Sequence, residues 1–404
     1  MQVTVSRQAL EAGRAWVAGA VPKRPVLPVL GGVLLSVEDR TLTLGATDYE
    51  QGRRAWANDT WGDAEDGHAL VDAAELGKIA RALPKPVRGR PVDVRLRANN
   101  SRLTLTCQGA AWDVPLLAME EYPAVPQIPR LAGTADATRF ALAVNRTAAA
   151  AGTDDTLPVL TCVQFTPGPA ALTLAATDRY RVAVDQIPWT APSQPAACPV
   201  LAPARAVTAF AAKAGRHGDV AVHIGVPPTG YPDERIGFRD SARELTVALF
   251  DGHTPPPLCE EHLREASPVN LTVDAGALTG ALRRMNPVTA RGWSEATRAG
   301  IVDLRYEAGG LTVNALGPGL AGTVASETVP ARADCAQFTV RFCAPYLWAA
   351  LEGIDGEAVI GLDTGDKARL AAGDFRAEGV RQATVRGGHD EEFRAAVMPV
   401  RADQ

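Results

Sequence analysis

Apolar and polar residues alternate along much of this chain with the two-residue period of strands, interrupted by segments with a helical period. Gln2-Val3-Thr4-Val5 alternates as a strand. Ser6 is placed to cap a helix of about 15 residues ending near Val21. Asp72-Ala73-Ala74-Glu75 resembles a capping box and opens a second helix that stops at Pro84. Further on, residues 139–143 are expected as strand, 144–151 as helix and 203–215 as a second helix. The same order returns with 269–273 as strand, 274–285 as helix, and 344–353 as a helix opened by Pro345. Short alternating runs at 101–107, 244–250 and 311–316 predict antiparallel strands between the helices. The plan is α+β, with two helices and roughly eight strands in each of three units.

One pattern marks each unit. It reads GGVLLSVEDRTLTLGATD at 31–48, TCVQFTPGPAALTLAATD at 161–178 and, more weakly, GIVDLRYEAGGLTVNALG at 300–317. Leu27-Pro28-Val29-Leu30 leads into the first copy as Leu157-Pro158-Val159-Leu160 leads into the second. A period of roughly 130 residues is too long for a solenoid unit and has the size of a whole domain. The expected domains are 1–126, 134–253 and 268–404, with proline-rich joints at 123–133 and 254–268. Three copies of one domain place the function in the shape of an assembly and not in one catalytic cleft.

Composition narrows the class. The chain is 46% hydrophobic and 22% charged over 404 residues, ordinary for a globular protein. No apolar run is long enough to span a membrane, and the first residues lack a signal-peptide layout. Cys107, Cys162, Cys198, Cys259, Cys335 and Cys343 form no CxxC pair and read as reduced thiols of a cytoplasmic protein. The net charge of −5 argues against coating nucleic acid by bulk attraction. The helical segments nevertheless carry a small excess of Lys and Arg, which fits a weak, sequence-blind contact with phosphates or an ordinary solvated face.

Catalytic signatures are missing: no phosphate loop, HExxH, GxSxG elbow or zinc spacing occurs. Gly317-Pro318-Gly319-Leu320-Ala321-Gly322 matches GxGxxG literally, but Thr323 to Ser326 reads as a strand where a dinucleotide site needs a helix, so a hairpin turn is expected. His253, Cys259 and His262 fit no common metal spacing. No cofactor and no metal are expected. Asp178, between Thr177 and the arginines Arg179 and Arg181, reads either as a strand-end ion pair or as the rim of a partner surface.

These residues resemble a known family, the bacterial β sliding clamps, processivity subunits of DNA polymerase III. The resemblance covers nearly the whole chain. It rests on Lys23-Arg24-Pro25 with Leu27 to Leu30, on Asp154-Asp155-Thr156-Leu157-Pro158-Val159-Leu160, on Ala176-Thr177-Asp178-Arg179-Tyr180-Arg181-Val182, and on the tail Val397-Met398-Pro399-Val400-Arg401. The Thr-Asp-Arg-Tyr-Arg form and the Met-Pro-Val-Arg tail look actinobacterial. The resemblance implies a head-to-tail homodimer closing a ring of six domains around duplex DNA, without catalysis of its own. Implied partners are the polymerase III alpha subunit, the clamp loader and other proteins with a clamp-binding motif. Arg24 and Arg205 match DNA-contacting positions. Leu160, Thr177, Arg179, Tyr180, Arg181, Val182, Pro255, Met398, Pro399, Val400 and Arg401 match the wall of the partner-peptide pocket. Trp112, Val114 and Met285 are expected at the dimer interface, with burial in the core as the other reading of Trp112 and Val114.

Three departures qualify the match. His253-Thr254-Pro255-Pro256-Pro257 replaces the usual loop beside the pocket, Ala402-Asp403-Gln404 extends the tail, and arginine replaces lysine over much of the body. They leave room for a divergent second clamp that serves as an antibiotic-tolerant target, and for a peptide-binding scaffold that has lost the ring.

Overall fold

The computed structural model describes residues 1–57, 59–86, 91–192, 199–215, 218–225, 235–250, 263, 267–289, 300–315, 325–363, 380–388 and 392–400. The Gly317–Gly322 run, the His253, Cys259 and His262 group, Pro255 and Arg401 lie outside the described residues. Within them the chain is α+β, as its patterning predicts, with six helices and three antiparallel sheets.

Contacts gather the chain into two compact units. One comprises Met1–Ala137, Ala191–Ala196 and Ala214–Asp251; the other comprises Thr138–Thr190, Ala197–Lys213 and Gly252–Gln404. The division follows the sheets and cuts through the second repeat. In the first unit, strand Arg243–Ala248 pairs with strand Gln51–Ala57 and so joins two repeats in one eight-stranded sheet. In the second unit, strand Arg181–Pro188 pairs with strand Arg394–Val397 inside a twelve-stranded sheet. A five-stranded sheet in the first unit ends at the edge strand Ala110–Pro115.

Each copy of the repeated pattern is an antiparallel hairpin. Strand Gly32–Glu38 turns into Thr41–Thr47, Cys162–Pro167 into Ala171–Thr177, and Ile301–Glu307 into Gly310–Ala315. The alternating Val, Leu and Phe of these strands point into the core; Val33, Leu35, Val163, Phe165 and Val313 are fully buried.

Helix Arg7–Val17 starts where Ser6 predicts it. The Ser6 hydroxyl accepts the Ala9 N–H at 3.0 Å, and a short 3-10 turn, Ala18–Ala20, completes the expected length. Asp72 caps helix Ala73–Ala82 through the Glu75 N–H at 2.9 Å. In the second repeat the expected boundary is wrong. The strand is Leu131–Asp136 and the helix is Ala137–Ala148, so residues 139–143 are helical. Phe140 and Leu142 alternate with Arg139, Ala141 and Ala143, smaller or polar neighbours, and imitate a strand. The buried set Phe140, Ala143, Val144 and Thr147 follows the helical spacing instead. Phe140 meets Phe210 of helix Ala204–Ala211 edge-to-face at 6.4 Å, a pair worth about 1 kcal/mol beyond its buried area. In the third repeat, helix Ala275–Thr289 runs past the expected end near Met285, and helix Ala344–Leu351 begins as expected.

Candidate partner pocket and nucleic-acid surface

Strand Ala171–Thr177 ends in a turn built by two side chains. Thr177 Oγ1 donates to the Arg181 carbonyl at 2.7 Å and accepts the Arg179 N–H at 3.2 Å. Asp178 Oδ1 accepts the N–H groups of Tyr180 and Arg181 at 3.0 and 3.1 Å. Such local bonds are what Thr and Asp offer a turn. They hold Arg179 at φ 81°, a left-handed conformation that costs a non-glycine residue about 1 kcal/mol. Arg179 and Tyr180 are thereby presented to solvent, with Tyr180 55% exposed.

Arg181 is held from two sides. Its Nε donates to Asp178 Oδ2 at 2.9 Å, and its guanidinium carbon lies 4.3 Å from the centroid of the Tyr346 ring. Tyr346 sits in the first turn of helix Ala344–Leu351. Burial pushes its phenol up, with Asp178 and Cys343 adding to the rise and Arg181 opposing it. Arg181, Val182 and Tyr346 share an open cavity with Arg146, Ala149, Ala150, Ala183, Ala349, Ala350 and residues 395–397. Behind it Arg146 forms a buried ion pair with Asp185 at 3.4 Å, donates to the Gly353 carbonyl, and lies 4.8 Å over the Phe393 ring.

The chain returns to this turn at its far end. Met398 N–H donates to the Tyr180 carbonyl, and Val400 N–H to the Arg341 carbonyl, both at 2.9 Å. Met398 is 50% exposed beside Tyr180, so an apolar side chain stands at the surface next to this turn. Val182 packs on a small buried cluster of Ala175, Val184, Leu263 and Ala396. Leu160 ends the lead-in of the second repeat, where its carbonyl accepts the Gly152 N–H at 2.7 Å. Leu160, Thr177, Arg179, Tyr180, Arg181, Val182, Met398, Pro399 and Val400 therefore all belong to one unit, and the turn-tail bonds bring several of them together. Sequence reasoning missed Tyr346 and Arg146. Both reach the cavity from helices far along the chain from the Thr-Asp turn, and no local motif flags them.

The interface residues divide differently. Val114 and Met285 are 3% and 7% exposed, covered by the chain itself. Their side chains lie in the core, which for Val114 is the second of the two readings given above and for Met285 differs from the expected interface position. Trp112 on the same edge strand keeps partial exposure.

Arg24 is exposed in the segment before the 3-10 turn Pro28–Gly31. Arg205 is exposed in the first turn of helix Ala204–Ala211. Neither has an ion-pair partner among the described residues. Part of the basic charge of the helices is paired. Arg14 pairs with Glu11 at 2.6 Å, Lys78 with Glu75 at 2.6 Å, Arg139 with Glu392 at 3.0 Å and Arg283 with Glu352 at 2.8 Å.

The comparisons with known proteins bear on the family and the fold. Residues 1–126 match the model of the DNA polymerase III beta subunit N-terminal domain, and residues 134–256 match that of the central domain. A Streptomyces coelicolor beta sliding clamp is 32% identical over 99% of both chains. The chain belongs to the DNA polymerase III β-subunit family, the bacterial sliding clamps. A Streptomyces muensis beta sliding clamp homologue, GriR, is 31% identical over 77% of this chain and 79% of its own. A Pseudomonas aeruginosa sliding clamp bound to griselimycin has the same fold, with a TM-score of 0.82 at 23% identity over 99% of each chain. Among the described residues no helix is long and apolar enough to cross a membrane.

Proposed function

We propose that the chain acts as a cytoplasmic, non-catalytic DNA clamp: two copies close head-to-tail around duplex DNA and tether DNA polymerase III and other clamp-binding proteins. The repeats 1–126, 134–253 and 268–404 serve as the three domains of each half-ring. The observation that carries the reading is the joining of the Thr-Asp turn to the C-terminal tail, with Met398 N–H on the Tyr180 carbonyl. This gives an exposed apolar residue, a fixed cation at Arg181 and backbone groups in one place, the mixture a short peptide needs. Leu160, Val182, Met398 and Val400 supply the apolar floor and Arg179 and Arg181 the polar wall, to which the family resemblance also assigns Pro255 and Arg401. Arg24 and Arg205 touch phosphates, and the edge strand bearing Trp112 pairs across the dimer.

A peptide with a glutamine followed by a Leu/Phe pair is expected to bind at micromolar strength, about −8 kcal/mol. Calorimetric titration tests this; no heat with a series of such peptides removes the pocket. The mass in solution tests the ring, since a chain that stays monomeric at micromolar concentration would be a scaffold and no clamp.

A second reading, a divergent clamp that tolerates pocket-directed antibiotics, draws on the match to the clamp homologue GriR. Titration with a cyclic-peptide ligand of sliding clamps decides it: weaker binding than to a housekeeping clamp supports tolerance, and equal binding leaves an ordinary replication clamp.

A further inference from the structure

The first two repeats share much of their hydrogen-bonded framework. Helix Arg7–Val17 answers helix Ala137–Ala148. Val21 N–H donates to the Ala18 carbonyl at 3.2 Å as Ala151 N–H donates to Ala148 at 3.1 Å, and Leu30 bonds Leu27 at 3.0 Å as Leu160 bonds Leu157 at 2.9 Å. The turns match as well. Thr47 Oγ1 donates to the Gln51 carbonyl at 2.8 Å, Asp48 Oδ1 accepts the Glu50 and Gln51 N–H groups at 3.1 and 2.8 Å, and Tyr49 has φ 77°. Gln51 Nε2 donates to Asp48 Oδ2 at 3.0 Å, in the place of Arg181 on Asp178. Even the returning strand repeats: Ala248 N–H donates to the Glu50 carbonyl at 2.8 Å, as Met398 does to Tyr180.

This shared register sets Trp16 against Arg146, Gly19 against Ala149 and Arg53 against Ala183. In the second repeat Arg146, Ala149 and Ala183 line the open cavity. In the first, Arg53 is only 8% exposed. Its guanidinium carbon lies 4.5 Å over the Trp16 ring, and its Nη1 donates to the Trp16 carbonyl at 3.3 Å. A Cβ placed on Gly19 would fall 2.0 Å from Arg53 Nη1. The missing side chain of Gly19 is therefore the room the guanidinium uses. Small residues at 149 and 183 leave the equivalent volume empty.

We infer that Arg53 is a built-in plug that closes the first repeat's copy of the partner cavity, so that each chain offers this pocket at the second repeat. The inference rests on the pocket proposed above. The plug adds to the differences at Gln51 and Ala248, which stand where the second repeat has Arg181 and Met398.

Two full-length variants test it. Arg53→Ala empties the plug site, which Trp16 and Gly19 then frame. Methylguanidinium at millimolar concentration is expected to raise the melting temperature of this variant relative to sodium chloride at equal ionic strength, and to leave the wild type unraised. Ala149→Gly/Ala183→Arg moves the plug to the second repeat and is expected to fold while losing at least tenfold in affinity for the Gln-Leu-Phe type peptide. A folded Arg53→Ala indifferent to methylguanidinium, or a folded double variant with wild-type peptide affinity, overturns the plug. Failure of the wild type to bind the peptide would overturn the pocket itself, while the methylguanidinium arm still reads the plug.

Discussion

Arg181 lies over the Tyr346 ring, 4.3 Å from guanidinium carbon to ring centroid, while its Nε–H donates to Asp178 Oδ2 at 2.9 Å. One residue of the second repeat is thus oriented by its own turn and by a helix of the third. A half-buried cation-π pair of this kind contributes about 1 kcal/mol. Tyr346→Ala is expected to free the guanidinium and weaken partner-peptide binding roughly tenfold, about 1.4 kcal/mol, while Tyr346→Phe keeps most of the affinity because the ring face remains. Unchanged affinity in the alanine variant would show that the orientation of Arg181 is irrelevant.

The tail makes a separate prediction. Met398 is 50% exposed and follows the last strand, Arg394–Val397. Met398→Ala should leave the melting temperature within the range of neutral surface changes, about 0.5 kcal/mol. Peptide binding should lose a large part of one apolar contact, roughly 1.5 kcal/mol. Removing Met398 to Gln404 should abolish peptide binding with the dimer intact, as seen by titration and light scattering on the same sample.

Much of this was legible in the chain. Ser6 and Asp72 announce their helices because a cap is a local event, settled by one side chain and an N–H three residues on. The three hairpins are legible because alternation is local too. The boundary near Phe140 was not, since a few residues of a helix can alternate by chance and burial alone decides the period. The Thr-Asp turn and the tail were found as motifs, but their joining by the Met398–Tyr180 bond depends on which strands pair. Arg53 carries a signal that could have been found: aligned outward from the repeated pattern, an arginine faces an alanine just where a glycine faces another alanine.

The edge strand separates assembly from stability. Trp112→Glu is expected to yield monomers at micromolar concentration, because its ring is partly exposed on strand Ala110–Pro115 at the rim of the five-stranded sheet. Val114→Ala should leave the dimer and lower stability by about 2 kcal/mol, the consequence of a small cavity in the core. Sedimentation and thermal melts on both variants distinguish these effects; dissociation by Val114→Ala alone would reverse the assignment.

DNA contact should be weak at equilibrium and strong by topology. With Arg24 and Arg205 as the proposed phosphate contacts, short linear duplex should bind weakly, and more weakly still as salt rises. Protein loaded on nicked circular DNA should persist in the same salt and leave once the circle is cut. Arg24→Ala/Arg205→Ala should reduce the salt dependence on linear duplex by about two phosphate contacts. Equal loss from circular and linear DNA would rule out the ring.

His223 supplies a pH dependence. Burial lowers its imidazole below the ordinary value, opposed by the hydrogen bond to the Pro129 carbonyl at 2.9 Å and by Glu244, and assisted by Arg239. The folded chain therefore holds this proton less readily than the unfolded one. Its contribution to stability is present above about pH 6.5 and is lost as the pH falls through the lowered folded value. Melting temperatures between about pH 7.5 and 5.5 should fall more steeply for the wild type than for His223→Gln. Parallel curves would place the acid sensitivity elsewhere.

The position of strand Arg394–Val397 has a mechanical consequence. It is hydrogen-bonded on one side to Arg181–Pro188 and on the other to Gln382–Gly387, in the interior of the twelve-stranded sheet. The tail proposed to touch a bound partner is therefore anchored to a strand clasped along both flanks. Tension drawn along that strand by a moving enzyme must shear many backbone bonds at once instead of unzipping them singly, so the grip on a partner fails by peptide release before the anchor yields.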